Sequence, residues 1–243
     1  MIDLNCDMGE GIGNDEAIMP YIDSANISCG FHAGDGHTIC RTIALALEHK
    51  VHIGAHPSFL DKENFGRKEM DLPPEKLYGI LLEQLIKIDL IAKESGAKLH
   101  HVKPHGALYN MGARDPQIAR TIAQAIKDFD DRLVLYGLSN SVLVTEAKAL
   151  GLKTANEVFA DRTYRDDGSL TPRSQSNALI EDEEKSVRQV LQIINEGRIT
   201  TVTGKTIPIS ADTVCIHGDG RHAINFAKKI REALQQNQIA KTI

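Results

Sequence analysis

The chain has 243 residues, 42% of them apolar, with no tryptophan and a formal net charge of -5. That length suits one large domain and is ample to bury a core without disulfide or metal staples. The acidic balance and the lack of a long basic run argue against a nucleic-acid partner, and no apolar stretch is long enough to span a membrane.

The four cysteines, at 6, 29, 40 and 215, show no CxxC pairing. The sequence opens on strand-like residues with no signal peptide, so the thiols are expected to be reduced and the protein cytoplasmic.

Residues 2–5 read as a first strand and open into Gly9-Glu10-Gly11-Ile12-Gly13. The third glycine comes one residue too early for a GxGxxG dinucleotide fingerprint, and Pro20 cuts the following segment short. Residues 25–28 form a second strand, after which Asp35 starts a helix with Ile39, Ile43, Ala44 and Leu47 on its apolar face. A third strand, 51–55, stops at His56-Pro57. The charged loop 61–71 leads to Pro73-Pro74, which suits a helix start. Leu77, Leu81, Leu85, Ile88 and Ile91 mark that helix's buried face, and Gly96 ends it.

Residues 99–102 are a fourth strand, halted by Pro104. Asp115-Pro116 is an N-cap followed by proline at the first helical position, with Ile118, Ile122 and Ile126 facing inward. A fifth strand at 133–136, a helix at about 141–150 closed by Gly151, and a sixth strand at 153–157 follow. A loop near 160–181 then shows no periodicity, and a loop of that length is usually functional, often a lid. Val187, Val190, Leu191 and Ile194 mark a further helix ending at Gly197. A small hairpin near 198–210, a seventh strand at 214–217 and a helix using Ala223, Phe226, Ile230 and Leu234 complete the chain.

Seven strand–helix units in strict alternation, with no linker and no internal repeat, predict an α/β fold with a parallel sheet in a single domain over 1–243. A barrel and an open doubly wound sheet both satisfy that pattern. Polar residues crowd the carboxyl end of nearly every strand, which favours a barrel, where all such loops share one mouth.

The densest cluster is His101-Val102-Lys103-Pro104-His105-Gly106-Ala107-Leu108-Tyr109. Lys103 offers a fixed positive charge for a developing oxyanion or a substrate carboxylate. Asp7 and Glu10 follow the first strand and, with Lys103 and His105, are the catalytic candidates; a carboxylate there is a general base or simply a loop cap. His32, His56, His105 and His217 stand at or just past four strand ends, where neutral imidazole serves as base or metal ligand. Asp7, His32 and His56 are the set expected to hold a divalent metal if one is bound, although no HxxxH or HExxH spacing supports it.

His32, His56, Tyr109, Arg162, Arg173 and His217 are the substrate-binding candidates. The two arginines flank the long loop and either clamp a carboxylate or stand as exposed loop charges. His37, His49, His52 and His222 read as structural, and Cys6, Cys29 and Cys215 as buried apolar filler. Gly204-Lys205-Thr206 mimics the tail of a phosphate loop. Ile199 occupies the place of its leading glycine and a strand follows, which rejects a Walker site.

Taken together, these blocks resemble the LamB/YcsF family, that of the A component of bacterial 5-oxoprolinase. The resemblance covers nearly the whole chain. It rests on Asp3-Leu4-Asn5-Cys6-Asp7-Met8-Gly9-Glu10, Ser28-Cys29-Gly30-Phe31-His32-Ala33-Gly34-Asp35, Gly54-Ala55-His56-Pro57, the 101–109 cluster, Glu157-Val158-Phe159-Ala160-Asp161-Arg162 and Ile216-His217-Gly218-Asp219. It implies a distorted (β/α) barrel of about seven parallel strands, of the glycoside hydrolase/deacetylase type. It further implies ATP-dependent opening of 5-oxoproline to glutamate, with ATP and Mg in the assembled enzyme and partner subunits B and C. The rival readings are a stand-alone metal-dependent deacetylase and a non-catalytic subunit that only binds substrate.

Overall fold

A computed structural model describes residues 2–218 and 223–240, so Asp219 of the last motif and His222 lie outside the described residues. In chain order the first half comprises β1 (Asp3–Met8), α1 (Asp15–Ile18), a 3-10 turn (Met19–Tyr21), β2 (Ser24–Ser28), α2 (Gly36–Glu48), β3 (His52–His56), α3 (Pro74–Glu94), β4 (Leu99–Val102) and α4 (Gly106–Gly112). The second half comprises α5 (Pro116–Phe129), β5 (Val134–Leu138), α6 (Val142–Ala149), β6 (Lys153–Phe159), α7 (Glu183–Glu196), β7 (Arg198–Thr200), β8 (Thr206–Pro208), β9 (Thr213–His217) and α8 (Ala223–Gln236).

Seven strands close into a barrel in the order β1-β2-β3-β4-β5-β6-β9, and every pairing in it is parallel. The expected distorted (β/α) barrel is therefore the observed one. β7 and β8 form a separate antiparallel pair between α7 and β9.

Strands buried on both faces usually read as unbroken apolar runs. These alternate instead. In β1 Leu4, Cys6 and Met8 join the apolar layer, while Asp3, Asn5 and Asp7, equally buried, join a polar interior. The polar side chains satisfy one another across the barrel, as burial demands. Ser24 Oγ and Thr213 Oγ1 donate to the Asp3 carboxylate at 2.6 and 2.5 Å, and Asn5 Nδ2 donates to Thr213 Oγ1 at 2.6 Å. Asn26 Nδ2 donates to Asn5 Oδ1 and Asp7 Oδ1 at 2.7 and 2.8 Å, and its Oδ1 accepts from His101 Nε2 at 2.8 Å.

This alternation corrects the sequence-based strand bounds. β1 runs on to Met8 rather than stopping at Asn5, β3 and β5 reach His56 and Leu138, and β6 reaches Phe159. Asp7, expected just past a strand end, is thus a strand residue. Asp, Asn and His are poor strand formers by propensity, and only the hydrogen-bonded interior makes extended backbone hold there. α4 was not foreseen; Pro104 was read only as the end of the fourth strand, and the helix starts two residues beyond it at Gly106. The inner face of α7 is Ser186, Val190 and Ile193, one position off the expected stripe.

The helix termini follow local rules. Asp35 accepts from Thr38 N, Asp115 from Gln117 N and Ile118 N, and Ser141 from Val144 N. Each satisfies amides that the first turn leaves open.

Gly54 shows how tightly the interior is filled. A Cβ there would lie 2.1 Å from His101 Nε2, so the absent side chain is the space the imidazole occupies. Gly54→Ala is expected to destabilise the fold by about 1–3 kcal/mol through overpacking, read as a fall in Tm of roughly 5 °C by calorimetry. An unchanged Tm would mean that the His101 ring has room to move.

Candidate active site at the barrel mouth

The carboxyl ends of the strands open into a cleft of about 870 Å³ lined by Asp7, His56, Lys103, His105, Tyr109, Phe159, Arg162, Arg173 and His217, among others. The parallel register aligns the floor. Asp7 in β1 stands opposite Asn26 in β2 and His217 in β9, and His56 ends β3. Beyond β4 the ladder continues without its label: Lys103 N donates to Ala55 O at 3.0 Å and His105 N to Pro57 O at 2.8 Å.

Lys103 sits almost wholly buried between two carboxylates, 2.8 Å from Asp7 Oδ1 and 2.8 Å from Glu157 Oε1, and 3.0 Å from Cys215 Sγ. Burial alone would strip its proton. Asp7, Cys215 and Glu157 outweigh that and hold the ammonium well above the usual lysine range. Burial likewise opposes the Asp7 charge, yet His56 and Lys103 keep its carboxyl well below the usual range. Glu157 is fully buried, and the Tyr109 phenol beside it is driven up, first by burial and then by that carboxylate. The residues form an ion-paired floor with Asp7 at its solvent side.

Next to it lies a histidine cluster. His56 Nε2 is 3.3 Å from Asp7 Oδ2 and 2.9 Å from His105 Nδ1. His32 stacks on His105 with ring centroids 3.8 Å apart, and its Nε2 is 3.0 Å from Glu10 Oε1. Burial pushes His32 down to about 2 and His105 well below the ordinary imidazole value. Gly66 permits the approach. Its φ is +67°, and a Cβ there would stand 2.9 Å from both the His105 ring and His32 Cβ.

On the far wall, His217 Nδ1 lies 2.9 Å from the Asp161 carboxylate, whose charge that contact sustains against burial. The loop 160–182 is folded back on itself by two short bridges, Arg162 with Leu179 and Tyr164 with Leu170. Arg162 is buried, not an exposed loop charge, and donates to Thr171 O at 2.6 Å and Ala178 O at 3.3 Å. Burial and Arg173 bring its guanidinium down to about 10. Arg173 is exposed at the rim, where Arg67, Arg114 and Arg165 also line the cleft. An acidic protein thus carries an arginine-rich mouth, which suits an anionic ligand.

All ten sequence-selected residues fall at or beside this mouth, in the floor, cluster and walls above, with Glu10 against His32 Nε2 in the cluster. Sequence reasoning passed over Glu157, Asp161 and Asn26. The first two stood inside a quoted block, and a carboxylate just before Val158-Phe159 at a strand's carboxyl end was a usable sign for Glu157. Cys6, Cys29 and Cys215 are all buried in the apolar core as expected, and Cys215 Sγ in addition faces Lys103 Nζ at 3.0 Å. His52, read as structural, stacks on His100 at 4.2 Å. All four cysteines are free.

The LamB/YcsF family model matches residues 2–242. The chain belongs to the LamB/YcsF family. Among similar proteins, the A component of 5-oxoprolinase from Shouchella clausii is 54% identical over 98% of this chain and 96% of its own length. The crystal structure of the lactam utilization protein from Thermus thermophilus superposes with a TM-score of 0.92 at 41% identity, covering 99% and 98% of the two chains. A family 4 carbohydrate esterase from Streptomyces lividans, 10% identical with a TM-score of 0.51 over 100% and 91% of the chains, shares the fold. A LamB/YcsF chain folded to this plan brings together the residues that its motifs scatter over six strand ends.

Proposed function

We propose that this chain is the A component of a 5-oxoprolinase, which opens the lactam of 5-oxoproline to L-glutamate at the expense of ATP. The observation that carries the reading is near-complete alignment, at 54% identity, with a relative named as that component. The amide of a lactam resists water, and transfer of the γ-phosphoryl of ATP to its oxygen makes the ring carbon electrophilic. One water adds to that carbon and the C–N bond breaks, which frees the ring nitrogen as the amine of glutamate and leaves the γ-carboxyl as an acyl phosphate; a second water then displaces the phosphate to give the carboxylate.

In this reading Asp7 or His105 takes the proton of the attacking water, and the arginine-rich rim, with Arg162 behind it, receives the substrate carboxylate. Lys103 directs its N–H groups at Asp7, Glu157 and Cys215. Its part is therefore to hold Asp7 ionised and aimed, and contact with an oxyanion or phosphate requires it to release one partner. Gly204-Lys205-Thr206 runs into β8, a strand and not a helix, so it offers no cradle for phosphates. We infer that Mg-bound ATP is handled largely by the B and C subunits that the resemblance implies. Among the described residues no helix is long and apolar enough to cross a membrane, and a cytoplasmic site of action belongs to the same reading.

Glutamate release from 5-oxoproline plus ATP is the test, with the chain alone and with candidate B and C partners. Activity is expected only in the mixture and is expected to fall by about 100-fold or more with Asp7→Ala, the scale for losing a group that acts in the transition state. Full activity of the mixture after replacing both Asp7 and His105 would reduce the chain to a binding role. Hydrolysis of an amide or ester by the chain alone, with no 5-oxoproline turnover in any mixture, would favour the deacetylase.

A further inference from the structure

The geometry points to a divalent transition-metal site formed by Glu10, His32, His56 and His105 on the floor of the cleft. The assignment stands on the side chains alone and does not need the 5-oxoproline reading.

His56 Nδ1 lies 2.7 Å from the carbonyl oxygen of Lys103, and His105 Nε2 lies 2.9 Å from that of Phe65. A carbonyl only accepts, so each of those nitrogens carries the proton. The other nitrogens, His56 Nε2 and His105 Nδ1, face each other at 2.9 Å with Asp7 Oδ2 3.3 Å from the first, so they meet across one shared proton or a metal ion.

His32 is held from behind by a hydroxyl: its Nδ1 lies 2.9 Å from Ser58 Oγ, whose one hydrogen turns either to that nitrogen or to Phe59 O at 2.9 Å. Without a metal Glu10 Oε1 accepts the His32 Nε2 hydrogen at 3.0 Å; a metal ion takes the place of that hydrogen, and Ser58 then accepts from Nδ1. Three imidazoles are thus pinned from behind, His56 and His105 by carbonyls and His32 by a hydroxyl, with their other nitrogens turned inward beside a carboxylate. Metal-binding histidines are held in this way.

Ring nitrogens that meet head-on beside a carboxylate need a proton or a metal ion between them, and three of them converging on one carboxylate suit the metal. The candidate donor atoms all lie within 4.8 Å of one another. A tetrahedral ion with bonds of about 2.0–2.1 Å sets its donors roughly 3.4 Å apart, within the observed spread. The adjoining triad of Asp7, Lys103 and Glu157 carries one net negative charge, which favours a cation beside it. Three imidazoles and one carboxylate suit zinc, iron, cobalt or nickel better than magnesium or calcium. Asp7 was the carboxylate expected to share a metal with His32 and His56. Lys103 already lies against it, in the middle of the second candidate group, Asp7, Cys215 and His217, and Glu10 takes its place in the set.

The support is built in depth. Gln84 on α3 accepts from Ser58 N and donates to Ser58 O, both at 2.9 Å, so the residue behind His32 is locked at its backbone.

The test uses the full chain, stripped with a chelator, and titrated with Co2+ and then Zn2+ while calorimetry and visible absorption are recorded. One Co2+ per chain is expected, with d–d bands that Zn2+ abolishes. Glu10→Gln and His105→Gln are expected to weaken binding by more than the roughly 10–100-fold typical of supporting residues, and Ser58→Ala by about that amount, with Ser58→Thr restoring it. In histidine-labelled wild-type protein, Zn2+ is expected to move the imidazole signals of His32, His56 and His105 out of ten histidines. Wild-type protein that binds no stoichiometric ion, or that shifts a different set of imidazoles, would overturn the site and show that a shared proton bridges His56 and His105. That result would leave the oxoprolinase assay untouched.

Discussion

Lys103→Met is expected to lower Tm by roughly 10 °C and to cut kcat/KM of the assembled enzyme by about 100-fold or more. Methionine nearly matches the lysine in length and is apolar, so it fills the volume and removes only the charge. The side chain it replaces is the counter-ion of two carboxylates that the barrel buries, Asp7 and Glu157, at 2.8 Å each. Deleting one member of a buried ion pair costs about 3–5 kcal/mol, because the partner is left charged in a medium that does not solvate it. Asp7, which Lys103 helps to hold ionised, then takes up a proton more readily, and a protonated Asp7 is no longer a base. Thermal melts of the isolated chain read the first effect, and glutamate release in the mixture reads the second. A variant with unchanged Tm and full kcat/KM would remove Lys103 from both roles.

The second large effect lies at the opposite end of the barrel. Arg231 on α8 reaches in to donate to Asp23 Oδ2 at 2.5 Å and to Tyr21 O at 2.8 Å, and Asp23 Oδ2 also accepts from Leu4 N at 3.1 Å. One buried ion pair therefore ties the last helix to the segment between β1 and β2, across 208 residues of sequence. Arg231→Met is expected to cost about 3–5 kcal/mol for the same physical reason as Lys103→Met. Asp23→Asn with Arg231→Met is expected to cost less than the sum of the two single changes, since the pair is lost once, not twice. Denaturant melts on all four proteins decide it. Additive costs would show that the two residues act independently and that α8 is held by its apolar face alone.

The two pairs show why residue type said more than residue position. Glu157 and Asp23 were both visible as carboxylates near apolar strands, yet nothing local distinguishes a carboxylate that caps a loop from one that binds a buried cation. The cation arrives from far along the chain, and only closure of the barrel brings it within reach. His56 and His105 read as rim histidines from their places at strand ends. That their other nitrogens meet follows from which carbonyl each ring finds behind it, and no spacing rule encodes that.

By itself the sequence determined the alternation of seven strands and their helices, the caps that start α2, α5 and α6, and the family. It also determined that chemistry gathers at the carboxyl ends of the strands. These rest on local physics: periodicity, capping, and the short range of a turn. Tertiary structure decided where the strands end, because a polar interior contradicts strand propensity until its hydrogen bonds close. It decided that Arg162 faces the loop's own carbonyls, that Cys215 faces an ammonium, and that Glu10 and not Asp7 stands against His32. The Cys215 and Glu10 contacts join segments 112 and 22 residues apart through the register of a closed barrel, which a one-residue slip would break, whereas Arg162 finds carbonyls 9 and 16 residues on because its loop folds back on itself.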